Sequence, residues 1–199
     1  ISDSFLAEVR DMPQRNLALE LLKKLLNDEI TASKRTSVVQ SKRFSEKLDE
    51  SIMRYHNRAL ETAQVIEALI ELAQEMRDAS SRGDRLGLSD DEVAFYDALG
   101  ANASAVEVMK DDQLKVIAQD VATTVRNNTT IDWRDRQQAR ANLRRLVRRT
   151  LRRYGYPPDQ QETATLLIIT QVESFADLAV NGCVCPLPYT KPRPALGMS

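Results

Sequence analysis

Nine arginines fall between Arg134 and Arg153 against the single acid Asp135, a net charge of about +8 over twenty residues. A guanidinium stays charged at any physiological pH and binds phosphate or carboxylate oxygens through a planar fork. A row of such groups therefore suits a phosphate backbone or an acidic protein face. On a helix, Leu143, Leu146, Val147, Leu151 and Tyr154 make one stripe, and Arg144, Arg145, Arg148, Arg149, Arg152 and Arg153 fall opposite it. No acid interrupts the run from Arg136 to Arg153, so its charges cannot neutralise one another along the helix. These six arginines are the candidate nucleic-acid- or partner-binding residues, and their face must meet solvent, acidic protein or phosphate. Any surface helix sets a charged face against an apolar stripe, so charge density rather than amphipathicity carries this reading.

The other reactive side chains offer no catalytic constellation. His56 is the only histidine and lacks an evident orienting partner, which general-base work requires. Cys183 and Cys185 stand too close for a comfortable disulfide and lack a second pair of ligands for zinc. No Gly-rich phosphate loop ending in GK and Ser or Thr is present, and neither GxSxG nor HExxH occurs. A restriction-type nuclease needs an acid two positions before a catalytic lysine. None of Lys23, Lys24, Lys34, Lys42, Lys47, Lys110, Lys115 and Lys191 has one. The expectation is no catalytic residue, no metal site and no cofactor within these residues.

The elements that must position the arginine face read as helices throughout. Pro13 suits the first turn of a helix carrying Leu17, Leu21, Leu22, Leu25 and Leu26, with a break at TASKRTS, residues 31–37. From Val38 to Ser80 there is neither Gly nor Pro. An apolar stripe of Phe44, Leu48, Ile52, Tyr55, Ala59, Ile66, Ile70, Ala73 and Met76 predicts one long central helix. RGDRLG at 82–87 ends it. Ser89 and Glu92 form a capping box before VAFYDAL, which stops at Gly100. Asp111 or Asp112 caps a helix facing inward through Leu114, Ile117, Val121 and Val125. Ile131 and Trp133 staple the start of the arginine helix, and YGYPP from Tyr154 stops it, with Tyr154 in the core. A last helix from about Asp159 to Val180 buries Leu167, Ile168, Val172 and Phe175.

At 199 residues, with 5% aromatics, six Gly and seven Pro, the composition fits an all-α protein. The expected fold is an irregular helical bundle of five to seven helices, occupying 1–180 as one domain, with an irregular tail at 181–199. The net charge of -1 makes the basic patch local, offset by Glu61, Glu67, Glu71, Glu75 and Asp78, which favours a directed contact. No apolar run is long enough to span a membrane, and no signal peptide is visible. The cysteine usage fits a reducing cytoplasm, and an opening at Ile1 reads as a piece of a larger protein.

Four blocks carry a resemblance: VVQSKRFSEKLDESIMRYHNRAL from Val38, LGLSDDEVAFYDAL from Leu86, VRNNTTIDW from Val125 and RRLVRRTLRRYGYPP from Arg144. In order and spacing they resemble the C-terminal helical region of the R subunit of type I restriction-modification enzymes, over roughly residues 1–178. The tail from Val180 has no counterpart. The resemblance implies an ATP- and Mg²⁺-dependent motor and endonuclease subunit, whose nuclease and ATP motifs match no position here. It also implies methyltransferase and specificity subunits as partners and double-stranded DNA as the translocated substrate. The helical region would dock the motor on the methyltransferase core and contact duplex DNA without sequence specificity. The alternative is a non-catalytic helical adaptor that binds only an acidic protein partner through the arginine face. Salt-dependent binding to random duplex DNA separates the two.

Overall fold

Alternating apolar stripes and caps produce ten helices in the computed structural model, which describes residues 2–129 and 136–181. In order they are α1 (Asp3–Asp11), α2 (Arg15–Ser33), α3 (Val38–His56), α4 (Thr62–Ser80) and α5 (Arg82–Leu86). Then follow α6 (Asp90–Gly100), α7 (Ala103–Val108), α8 (Asp111–Asn128), α9 (Gln137–Arg153) and α10 (Gln161–Asn181). No strand occurs among the described residues, so the all-α bundle stands as expected. The helix number exceeds five to seven because α5 forms a short helix where a break was expected, because α1 and α7 form short helices in segments given no element, and because one predicted helix is two.

That predicted helix, 38–80, breaks at 57–61 into α3 and α4. The break needs no Gly: Arg58 adopts φ 55, and Ala59 N donates to Arg54 O at 2.9 Å while Arg58 N donates to Tyr55 O at 3.0 Å. This is the left-handed cap that closes many helices, built here on an arginine. An unbroken helix of that length would run roughly 65 Å, and its stripe would outreach any core. Folding it back as a hairpin puts Phe44 and Leu48 of α3 beside Ile66, Ile70, Ala73 and Met76 of α4, all buried. Ala59, expected in the stripe, is exposed in the turn.

Two apolar cores result. Helices α1 to α4 enclose the first, centred on Leu22, Leu26, Ile66 and Leu69. The second gathers Phe95 and Leu99 of α6, Ile117 and Val121 of α8, Leu143, Val147 and Leu151 of α9, and Ile168 and Val172 of α10. Burying each such side chain contributes about 1.5–3 kcal/mol, so the cores hold the helices and the caps only trim their ends. The Ser89–Glu92 capping box forms at the start of α6. At α8 the N-cap is Lys110 and no side chain bonds the cap; Asp111 and Asp112 sit in the first turn, where their charge favours the positive helix end. At α2 the N-cap is Gln14, so Pro13 lies before the helix instead of in its first turn. The Ile131–Trp133 staple and the Cys183–Cys185 tail lie outside the described residues.

A polar seam joins the two halves. Gln171 of α10, 1% exposed, accepts from Val38 N at 2.7 Å and donates to Thr36 O at 3.1 Å. Ser174 donates to Lys34 O at 3.0 Å, and Ser37 to Asp97 Oδ2 at 3.3 Å. Asp97 is also paired with Arg82. The turn between α2 and α3 is thereby tied to α10 and α6, which fixes the hairpin that carries the arginines.

Candidate nucleic-acid interface

Helix α9 is rich in Arg, Leu, Gln and Ala, all good helix formers, and it buries Leu143, Val147, Thr150 and Leu151 between α8 and α10. Its end is fixed by Gly155 at φ 70: Tyr156 N donates to Leu151 O at 3.0 Å and Gly155 N to Arg152 O at 3.1 Å. Within YGYPP the deeply buried tyrosine is Tyr156, 1% exposed, and its hydroxyl donates to Leu99 O at 2.8 Å. Tyr154, expected in the core, is only partly buried, lying under the Arg153 guanidinium at 5.1 Å from its ring centre. The cationic Arg152 and Arg153 in the last turn complement the negative end of the helix.

All six candidate arginines lie on the outward side of α9, but they are not equivalent. Arg148 pairs with Glu162 of α10 at 2.9 Å, and Arg153 pairs with Asp120 of α8. Asp120 is the chief reason the Arg153 guanidinium is held above its ordinary pKa. Arg152 Nε donates to Gln161 Oε1 at 3.3 Å, and Arg145 to Asn142 Oδ1 at 2.8 Å. Among the described residues, Arg144, Arg145, Arg149 and Arg152 form no ion pair. Arg145, Arg149 and Arg152 follow one another by a turn along the crest.

Sequence reasoning found the arginines and missed their counter-ions. Along α9 itself no acid neutralises the run, but Asp120, Glu162 and Glu173 do so in part from the neighbouring helices, Glu173 holding Arg140. The missed signal is hairpin register: α9 and α10 run antiparallel about the Gly155–Pro158 turn, so residues about equally far from it face each other. Arg152 meets Gln161 and Arg140 meets Glu173 on that rule.

The space between Arg140, Arg144, Arg145, Arg148, Arg149 and Arg152 measures about 880 Å³, with every wall on α9. It is an open furrow between guanidinium rows, too open to enclose a small molecule. Elsewhere, two groups of titratable side chains join neighbouring helices. Tyr96 donates to Asp111, whose carboxyl is held below the usual range by that bond first and by Lys115 at 2.9 Å second. Arg126 bonds Asp91 through Nε and Nη2 at 2.9 and 2.8 Å, tying α8 to α6. His56 is exposed at the end of α3, tilted against Tyr55 at 5.7 Å. Among the described residues no three His, Cys, Asp or Glu side chains converge as metal ligands do, and no helix is long and apolar enough to cross a membrane.

The family model described as Type I restriction enzyme HindI endonuclease subunit-like, C-terminal, matches residues 1–178. The type I restriction enzyme HindI endonuclease subunit of Haemophilus influenzae is 36% identical over 177 residues, covering 89% of this chain and 17% of that protein. A protein of Methanocaldococcus jannaschii, provisionally described as the type I restriction enzyme MjaIXP endonuclease subunit, is 30% identical over 156 residues, 78% of this chain and 15% of that protein. The chain thus spans about a sixth of the length of these relatives. No solved structure matches it.

Proposed function

Since the chain belongs to the C-terminal family of HindI-like type I restriction enzyme endonuclease subunits, we propose that it is the assembly and DNA-contacting domain of such a subunit. In this reading it docks an ATP- and Mg²⁺-dependent motor and endonuclease onto the methyltransferase and specificity subunits in the cytoplasm. It also lies against duplex DNA without reading its sequence. ATP and Mg²⁺ act in parts of the subunit beyond these residues, and the present chain contributes surface, not catalysis.

The observation that carries the DNA half of this reading is the crest of α9. Arg145, Arg149 and Arg152 stand three or four residues apart, a spacing of about 4.5–6 Å at a rise of 1.5 Å per residue. Guanidinium groups at such intervals, without an ion pair among the described residues, suit consecutive backbone phosphates, and phosphate contacts position a duplex without specifying bases. Reversing Arg145 and Arg149 to Glu is expected to weaken binding to any random duplex by more than about tenfold in a fluorescence-anisotropy titration. The slope of log K against log salt should fall by about one unit for each phosphate that is no longer neutralised. Both side chains are exposed, so the helical circular dichroism should be unchanged. If the double variant binds duplex normally but no longer co-elutes with the methyltransferase core, α9 is a protein-docking face, as in the adaptor alternative.

A further inference from the structure

The flanks of α9 differ from its crest. On one side the guanidinium of Arg148 is held by Glu162, in the first turn of α10; on the other, Arg153 is held by Asp120 of α8. These acids come from two different helices, both packed on α9, and they border the row of arginines that form no ion pair among the described residues. Their side chains remain accessible: Glu162 is 73% exposed and its partner Arg148 41%, while Asp120 is 28% exposed and Arg153 62%. A phosphate approaching either flank therefore meets a guanidinium that is already paired with a carboxylate.

We propose that Glu162 and Asp120 compete with backbone phosphate for Arg148 and Arg153, confining duplex contact to the crest of α9 and speeding its release. The proposal rests on the DNA-contacting reading above and names the groups that regulate it. Its physical basis is simple exchange. When phosphate takes Arg148, Glu162 either loses its partner or stands within range of a like charge, and both outcomes oppose binding. Arg144, Arg145, Arg149 and Arg152 offer no such competition, so they engage first and hold longest. A surface built this way grips a duplex at a few points and lets go readily, which a sliding contact requires.

The test uses the whole chain and a random-sequence duplex of about thirty base pairs, at several salt concentrations, by anisotropy and stopped-flow dissociation. Glu162→Gln is expected to tighten binding about two- to fivefold at low salt and to steepen the salt slope by up to about one unit. Asp120→Asn should act similarly, and dissociation should slow in both. In an Arg148→Gln background the Glu162→Gln gain should vanish, because the contested cation is gone. The proposal is overturned if wild-type chain binds duplex and Glu162→Gln leaves affinity and dissociation unchanged. It is equally overturned if the gain persists in the Arg148→Gln background, since the effect is then bulk charge. If neither wild type nor either acid variant binds duplex, the DNA reading itself fails and this proposal with it.

Discussion

Tyr156 closes the end of α9 with its ring inside the second core and its hydroxyl on the Leu99 carbonyl. Burial pushes its phenol above the ordinary value, and burial first, then the bond to Asp111, does the same to Tyr96. A phenol whose folded pKa is raised contributes stability that is fully present below its unfolded value of about 10 and is lost as pH rises through the folded value. Asp111 behaves in the opposite sense: its depressed carboxyl contributes above about pH 3.9 and the contribution disappears as pH falls below that. Urea unfolding should therefore show a plateau through neutral pH with a decline on the alkaline side. Tyr156→Phe should lower stability by about 1 kcal/mol at pH 7, since Leu99 O loses its donor, and should make the alkaline decline shallower. An alkaline limb as steep as in wild type would refute that assignment. At this scale the arginines were legible from type and spacing, whereas Tyr156 was not: two tyrosines flank Gly155, and which of them turns inward depends on the φ of the glycine between them.

Helix ends show how far pattern reading reaches. Both α3 and α9 close with the same pair of backbone bonds and the same left-handed residue, Arg58 in one and Gly155 in the other. Glycine followed by two prolines announces the second, so the stop of α9 was legible. Arginine announces nothing, so the break at 57–61 was read as continuous helix. The contrast is measurable. Gly155→Ala should destabilise by about 1 kcal/mol through backbone conformation alone, because a Cβ there meets no atom within 4 Å. Arg58→Gly should shift stability the other way, by up to about 1 kcal/mol, in the same urea titration. A loss on Arg58→Gly comparable to that of Gly155→Ala would show that strain at Arg58 is not relieved by glycine. The apolar faces of α8 and α10 were legible because their stripes keep a strict helical period. The acids beside α9 were not, since they belong to a pairing between helices that no single-helix pattern contains.

The molecule as a whole consists of two apolar cores joined by a polar seam, with Val39 of α3 also packed against the second core. Gln171 is the centre of that seam, almost fully buried and bonded to both sides of the α2–α3 turn. Gln171→Leu would leave Val38 N–H and Thr36 C=O without partners, an expected loss of about 2–4 kcal/mol. Hydrogen exchange should then quicken across α10 and the start of α3 while α4 keeps its protection; uniform loss would mean that the two cores unfold as one unit regardless of the seam. The groups joined at this seam are also far apart in the chain, 133 and 135 residues for the two Gln171 bonds. The four helices of the first core are complete by Ser80, long before Gln171 leaves the ribosome. During synthesis the first core can therefore assemble while the α2–α3 turn still exposes its peptide groups to water, and α10 arrives last to cover them. The order of translation makes α10 the last partner of this seam to emerge, and a chain cut between residues 81 and 170 is expected to keep the helices of the first core while the seam stays open.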